Sequence, residues 1–97
     1  MNLQYIAEME KILNECKAAT SDLDAQLDRM EKLKDPKTRL FSYYGSEEWY
    51  MDIESELPEG MPAGVLSEDA VYDQITAVRD AAFRMLELST DILKNRI

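Results

Sequence analysis

The sequence predicts an all-α protein in which two long antiparallel helices are joined by a short, aromatic-rich helical connector and pair into a helical-bundle dimer. Apolar residues recur at helical spacing over residues 2–34 and again over 67–96, and neither stretch contains glycine or proline. Between them, residues 41–56 hold five of the eight aromatic side chains. The chain has 97 residues, so we expect a single helical domain over residues 1–97.

The first predicted helix, residues 2–34, carries a heptad seam. Apolar positions advance in alternating steps of three and four residues, and Thr20 is the one polar member. The seam consists of Ile6, Met9, Leu13, Cys16, Thr20, Leu23, Leu27 and Met30. Pro36 ends this helix, because residues before a proline avoid the helical conformation, and a new helix is expected to start there.

The connector is expected to form two short helices, residues 36–44 and 47–57, with Gly45 as a helix stop and Ser46 as a helix start. One arc of the second helix holds the apolar residues Trp49, Tyr50, Ile53 and Leu57. The other side holds Glu47, Glu48, Asp52, Ser55 and Glu56. We expect the rings to face a core and the acids to face water. A recognition surface is the alternative, since exposed Tyr and Trp are favoured at interfaces.

Residues 58–66 form a predicted loop that contains two of the three prolines and two of the three glycines. Ser67 is the predicted N-cap of the last helix, residues 67–96, and Leu66 and Val71 have the spacing of a hydrophobic staple. The apolar arc of this helix spans more than half of its circumference, whereas one neighbour covers about a third. We therefore expect contacts with two elements and the pairing of two chains into a four-helix homodimer.

Charge and composition limit the classes of function. The chain has 20 acidic and 11 basic residues, a net charge of −9, which disfavours nucleic acids and anionic membranes and predicts that a charged partner is basic. The chain lacks histidine, the usual general base. Cys16 on the apolar seam is expected to be a buried small hydrophobe. One cysteine and an N-terminus without the pattern of a signal peptide predict a cytoplasmic protein.

A magnesium-dependent hydrolase is the weakest of the functions that we consider. Such a site needs acidic pairs three residues apart on facing helices. Asp28 and Glu31 form the only such pair within a predicted helix, and Glu56 and Glu59 lie on either side of Pro58. We therefore expect no metal, no cofactor and no catalytic residue.

Two stretches, YYGSEEWYMD at 43–52 and GVLSEDAVYD at 64–73, resemble a bacterial family of small acidic proteins called domain of unknown function 4298. The family pattern combines a Tyr-Tyr-x-Ser-x-x-Trp-x-x-Asp core with a Gly-Val-Leu-Ser-Glu-Asp segment that opens the last helix. The matching residues are Tyr43, Tyr44, Ser46, Trp49 and Asp52 for the core, and Gly64 to Asp69 for the segment. The resemblance implies a single helical domain from a bacterial cytoplasm, and it implies no catalytic residues because the family has no assigned activity.

The candidate partner-binding or motif residues are Tyr43, Tyr44, Ser46, Trp49, Tyr50 and Asp52. We expect a small non-catalytic helical protein that acts through protein–protein interaction. The alternative is an acidic mimic of nucleic acid that inhibits a basic protein, because six acids and no base lie between residues 46 and 59.

Overall fold

The computed structural model describes residues 2–95, and within that range the protein has four α-helices and no β-strand. The helices are α1 (Leu3–Lys32), α2 (Lys34–Tyr43), α3 (Glu47–Ile53) and α4 (Ala70–Asn95). A single-turn 3₁₀ helix, Gly64–Leu66, precedes α4. The predicted all-α class is confirmed. The last residue of the predicted final helix, residue 96, lies outside the described residues.

The chain divides into two compact units, one up to Lys37 and one from Thr38 onward. The first unit contains α1, and the second contains α3, the 3₁₀ helix and α4. The single domain and the antiparallel pairing of the two long helices stay predictions.

Helix α1 is stabilised at both ends, by a cap at its N-terminus and by basic residues at its C-terminus. The Asn2 side chain accepts a hydrogen bond from the Tyr5 backbone N–H at 3.0 Å, and Arg29 and Lys32 lie in the last turn, where cations interact favourably with the helix dipole. No residue of α1 is buried, so the whole heptad seam is exposed. A new helix follows α1 as predicted, but α1 ends at Lys32 instead of residue 34 and α2 begins at Lys34 instead of residue 36. Pro36 therefore lies in the first turn of α2, where its missing N–H costs no hydrogen bond.

The core of the second unit is small. Trp49 and Val71 are the buried apolar residues of the described chain. Half-buried residues around them are Phe41, Tyr43, Tyr44, Leu66, Ile75 and Val78. The 3₁₀ helix contacts both α3 and α4, so this core lies where α3 and the 3₁₀ helix meet the beginning of α4.

Helix α3 is shorter than predicted: it ends at Ile53 instead of residue 57. The N–H groups of Glu54 and Ser55 bond to carbonyls three residues back, which is the tightened turn typical of a helix end. Leu57 precedes Pro58 and is therefore disfavoured in a helix. The predicted loop, residues 58–66, is not entirely irregular, because its last three residues form the 3₁₀ helix.

Helix α4 is assigned from Ala70, three residues later than predicted, but the predicted cap is confirmed. Ser67 has extended backbone angles, and its Oγ accepts a hydrogen bond from the Ala70 N–H at 3.1 Å. This is the hydrogen bond that an N-cap side chain accepts from the N–H three residues further on. Residues 68 and 69 form the turn between cap and helix.

Candidate functional site

The six candidate residues lie within the second unit, at the junction of α2 and α3. We call them the aromatic clasp: Tyr43, Tyr44, Ser46, Trp49, Tyr50 and Asp52. Tyr43 is the last residue of α2, and α3 supplies Trp49, Tyr50 and Asp52.

Gly45 and Ser46 make the turn that joins the two helices. Gly45 has φ +78°, the left-handed conformation that ends helices and that glycine adopts most easily. Ser46 Oγ donates to the Tyr43 carbonyl at 2.6 Å and accepts from the Trp49 N–H at 3.2 Å. One hydroxyl therefore connects the end of α2 to the start of α3, as the sequence predicted for a helix stop followed by a cap.

Trp49 is the centre of the clasp and is only 4% exposed. Its indole Nε1–H donates to the Val65 carbonyl at 2.9 Å, so its one polar group is satisfied. The Tyr44 and Tyr50 rings both meet the indole edge-on, each with a centroid distance of 5.0 Å and with interplanar angles of 66° and 76°. The indole hydrogen bond attaches α3 to the segment before α4, and the ring contacts pack the indole within the clasp.

Tyr44 makes a second connection to that segment. Its hydroxyl donates to the Glu68 carbonyl at 2.6 Å. Partial burial and the nearby carboxylates of Glu68 and Asp69 raise the pKa of Tyr44 above its ordinary value. The hydroxyl therefore stays protonated at neutral pH and remains a donor.

Tyr43 and Asp52 form the polar edge of the clasp. The Tyr43 hydroxyl donates to Asp52 Oδ2 at 2.6 Å, a charge-assisted hydrogen bond. This bond, partial burial and the charges of Asp52 and Glu48 raise the pKa of Tyr43 to about 12. The expectation that Asp52 faces water is wrong: Asp52 is half-buried, because the phenol satisfies its carboxylate.

The expectation that the rings face the core holds for Trp49 but not for Tyr50, which is 61% exposed. Ile53 and Leu57, predicted on the same arc, are also exposed. Helix α3 has only seven residues, and of these it buries Trp49 alone. Tyr50 and the adjacent exposed Met51 therefore form an apolar border beside the buried indole.

Sequence reasoning missed two members of this site, the backbone carbonyls of Val65 and Glu68. Every residue carries such a carbonyl, so side-chain chemistry gives no signal for them. The motif at residues 64–69 does mark the segment, and Ser67 Oγ holds it by donating to the Gly64 carbonyl at 2.9 Å.

The side-chain polar groups of Tyr43, Tyr44, Ser46, Trp49 and Asp52 all make hydrogen bonds within the protein. Within residues 2–95, no buried side-chain nitrogen or oxygen lacks a partner, and no cluster of three or more His, Cys, Asp or Glu residues could hold a metal ion. A tyrosine with a pKa near 12 is a poor proton donor or acceptor at neutral pH. Cys16, expected to be buried, is exposed on α1 because the seam that carries it is uncovered. None of the described helices combines the length and low charge needed to cross a bilayer.

Fold and site together define a small acidic helical protein whose central feature is a hydrogen-bonded aromatic junction before its last long helix. The family model described as "Domain of unknown function (DUF4298)" matches residues 6–88 of the 97 residues. The chain therefore belongs to that family, as the two motifs indicated. No match to the chain is found among curated proteins or among solved structures.

Proposed function

We propose that the protein is a non-catalytic interaction protein that binds another protein through the seam of α1. The observation that carries this proposal is the exposure of every residue of α1, a 30-residue helix with a continuous apolar stripe. Exposed apolar patches of this kind mark sites of protein association. We further propose that the protein works as a homodimer in the cytoplasm of a bacterium.

The seam has enough large side chains to support binding. Burying a Leu, Ile or Met side chain completely contributes about 1.5–3 kcal/mol. Association costs on the order of 4–15 kcal/mol in lost freedom, so several such anchors must be buried together. Six seam residues are large and at least two-fifths exposed: Ile6, Met9, Leu13, Leu23, Leu27 and Met30.

The residues that flank the seam indicate the charge of the partner. One flank carries Glu10, Asp24 and Glu31, with Lys17 as the one base in that row. Flanking charges of a paired helix select complementary charges on the partner. The best-fitting partner is therefore an amphipathic helix with basic residues beside its apolar stripe.

A matched pair of substitutions on α1 tests this proposal. Leu23→Asp places a charge on the seam, and Ala25→Asp places the same charge about 200° away on the polar face. Both residues are exposed, so both variants should stay within about 0.5 kcal/mol of the original stability. Affinity capture from bacterial cytoplasm, quantified by mass spectrometry, should show a partner that binds the original protein and Ala25→Asp but not Leu23→Asp.

Two results would contradict the proposal. The first is a set of captured proteins that does not differ between the two variants. The second is a large loss of stability in Leu23→Asp alone, which would mean that the seam is covered within the protein itself.

The acidic mimic remains a second candidate because of one specific observation. Five of the six acids between residues 46 and 59 are exposed: Glu47, Glu48, Glu54, Glu56 and Glu59. A mimic should bind a DNA-binding protein with an affinity that falls steeply as salt is raised. Capture through the apolar seam should survive the same increase in salt.

A further inference from the structure

A cleft of about 330 Å³ lies beside the Tyr43–Asp52 hydrogen bond, within the second unit. The end of α3 and the residues after it form one side, and the segment that leads into the 3₁₀ helix forms the other. The apolar walls include Leu57, Met61 and Pro62, and the polar side chains are those of Tyr43, Asp52 and Ser55. A recess of this size, with apolar walls and a few polar groups, is the usual form of a site for a small ligand group.

Backbone hydrogen bonds hold the loop side of the cleft in one shape. The Met61 N–H donates to the Pro58 carbonyl at 3.2 Å, in a turn where Gly60 has φ +79°. In the 3₁₀ helix that follows, the Leu66 N–H donates to the Ala63 carbonyl at 3.0 Å. Because this side is already ordered, less conformational entropy is lost when a ligand enters.

The polar side chains of the cleft offer acceptors. Asp52 is half-buried, and its Oδ2 accepts a hydrogen bond from the Tyr43 hydroxyl at 2.6 Å, which fixes the orientation of the carboxylate. A carboxylate has about four acceptor positions, so Oδ1 can accept from a ligand. The Tyr43 hydroxyl gives its proton to Asp52, and the Ser55 hydroxyl donates to the Met51 carbonyl at 3.1 Å. Both hydroxyls therefore have lone pairs left for a ligand, and the cleft matches a group that carries only donors.

An ammonium group on an apolar stem matches both the walls and the polar groups. The lysine ammonium has three donors and no acceptor, and its four-carbon stem lies readily along apolar surface. The fork of an arginine pairs best with both oxygens of a carboxylate, and Oδ2 of Asp52 already accepts the phenol. Of the described residues that line the cleft, only Asp52 carries a carboxylate, whereas a divalent cation needs several oxygen ligands.

The charge around the cleft favours a basic protein as the source of this lysine. Six acids and no base lie between residues 46 and 59, and the five other than Asp52 are exposed. A field of one sign raises the local concentration of oppositely charged partners.

We propose that this cleft binds a lysine side chain of a basic protein, with the ammonium on Asp52 and the stem against Leu57, Met61 and Pro62. The cleft lies outside α1, so the inference goes beyond the proposed function and adds a second contact with a partner.

Titration of the isotope-labelled full-length protein, followed by NMR, tests the ligand. Nα-acetyl-lysine methylamide carries the stem and the ammonium, the corresponding norleucine compound carries the stem alone, and methylammonium carries the charge alone. The lysine compound should shift the amide resonances of Asp52, Ser55 and Met61. It should bind at least about tenfold more tightly than the norleucine compound or methylammonium, and more tightly than the corresponding arginine compound.

A matched pair of substitutions on α3 tests the role of Asp52. Asp52→Asn keeps an oxygen acceptor for the Tyr43 hydroxyl but removes the charge, and it should weaken lysine binding about tenfold. Glu47→Gln removes the same charge from the same helix outside the cleft, and it should change the affinity less than about twofold.

Met61→Ser tests the apolar wall. Met61 is exposed and lies outside the helices, so the fold should tolerate the change, and lysine binding should weaken about threefold. In all three variants the indole Nε1–H resonance of Trp49 should stay near its original position, which verifies that the clasp is intact.

Five results would overturn the inference. Three concern the ligand: no shift with the lysine compound, binding of the norleucine compound or methylammonium that is as tight, or tighter binding of the arginine compound. Two concern the variants: equal affinities of Asp52→Asn and Glu47→Gln, or an unchanged affinity of Met61→Ser. These failures are distinguishable from failure of the proposed function, which is measured by partner capture with Leu23→Asp. That variant should leave the lysine titration unchanged.

Discussion

Replacing Trp49 with alanine should remove most of the stability of the second unit. The side chain is 4% exposed, and truncation of a buried aromatic residue to alanine costs about 3–5 kcal/mol through lost burial and the resulting cavity. This range already includes much of what the edge-on contacts with Tyr44 and Tyr50 contribute. The Val65 carbonyl also loses its donor, but Val65 is exposed and water can replace the indole.

The free energy lost in Trp49→Ala is a large part of the total folding stability of a domain of this size. A domain of this size has about 5–15 kcal/mol in total, and each kcal/mol shifts the melting temperature by about 4–8 °C. Trp49→Ala should therefore lower the melting temperature by at least about 12 °C. Circular dichroism at 222 nm is the appropriate probe, since the variant has no tryptophan. Tyr50→Ala is the matched control: its ring is 61% exposed, so the substitution should cost about 1 kcal/mol or less.

A Trp49→Ala melting temperature within about 2 °C of the original would refute the reasoning. It would mean that the indole is not packed in the folded protein and that the clasp is a recognition surface around Trp49 itself. Iodide quenching of the original protein gives an independent check, because a buried indole should be protected from the anion.

Three further predictions concern the groups around Trp49. The pKa of Tyr43 is raised from 10.0 to about 12, so its bond to Asp52 stabilises fully below pH 10 and is lost as the pH rises through 12. Urea unfolding should thus show a smaller decline of stability between pH 10 and 12 in Tyr43→Phe than in the original protein. Ser67→Ala should cost about 1 kcal/mol by removing the cap of α4, and unchanged urea midpoints would contradict that role. Gly45→Ala should cost about 1–2 kcal/mol because of the positive φ at this position; an added Cβ would meet no atom within 4 Å. Gly64→Ala is the control: Gly64 has no positive φ and an added Cβ would meet no atom there either, so its urea midpoint should be close to that of the original protein.

The helices and their ends were largely predictable because their signals are local. Ser46 and Ser67 cap helices in the structure as the sequence indicated, and Gly45 has the left-handed conformation expected of a helix stop. These features depend on hydrogen bonds between residues three apart, and the printed sequence contains all the chemistry that they need.

The aromatic clasp was predictable only in part. Periodicity placed Trp49 in the core but could not distinguish it from Tyr50, because which of two adjacent rings is buried depends on where the neighbouring segment lies. For the same reason, periodicity predicted that Asp52 faces solvent. In the structure Asp52 is half-buried, and its carboxylate accepts a hydrogen bond from the Tyr43 hydroxyl. The acceptors at Val65 and Glu68 are backbone carbonyls, which sequence patterns do not distinguish from any others.

The two long-range hydrogen bonds of the clasp have a consequence for the order of folding. The Trp49 bond to Val65 spans 16 residues and the Tyr44 bond to Glu68 spans 24. The entropy lost on closing a loop grows only with the logarithm of its length, so closures this short are inexpensive and fast. The junction can therefore assemble early and hold the first turn of α4 in place while the remainder of that helix elongates from it.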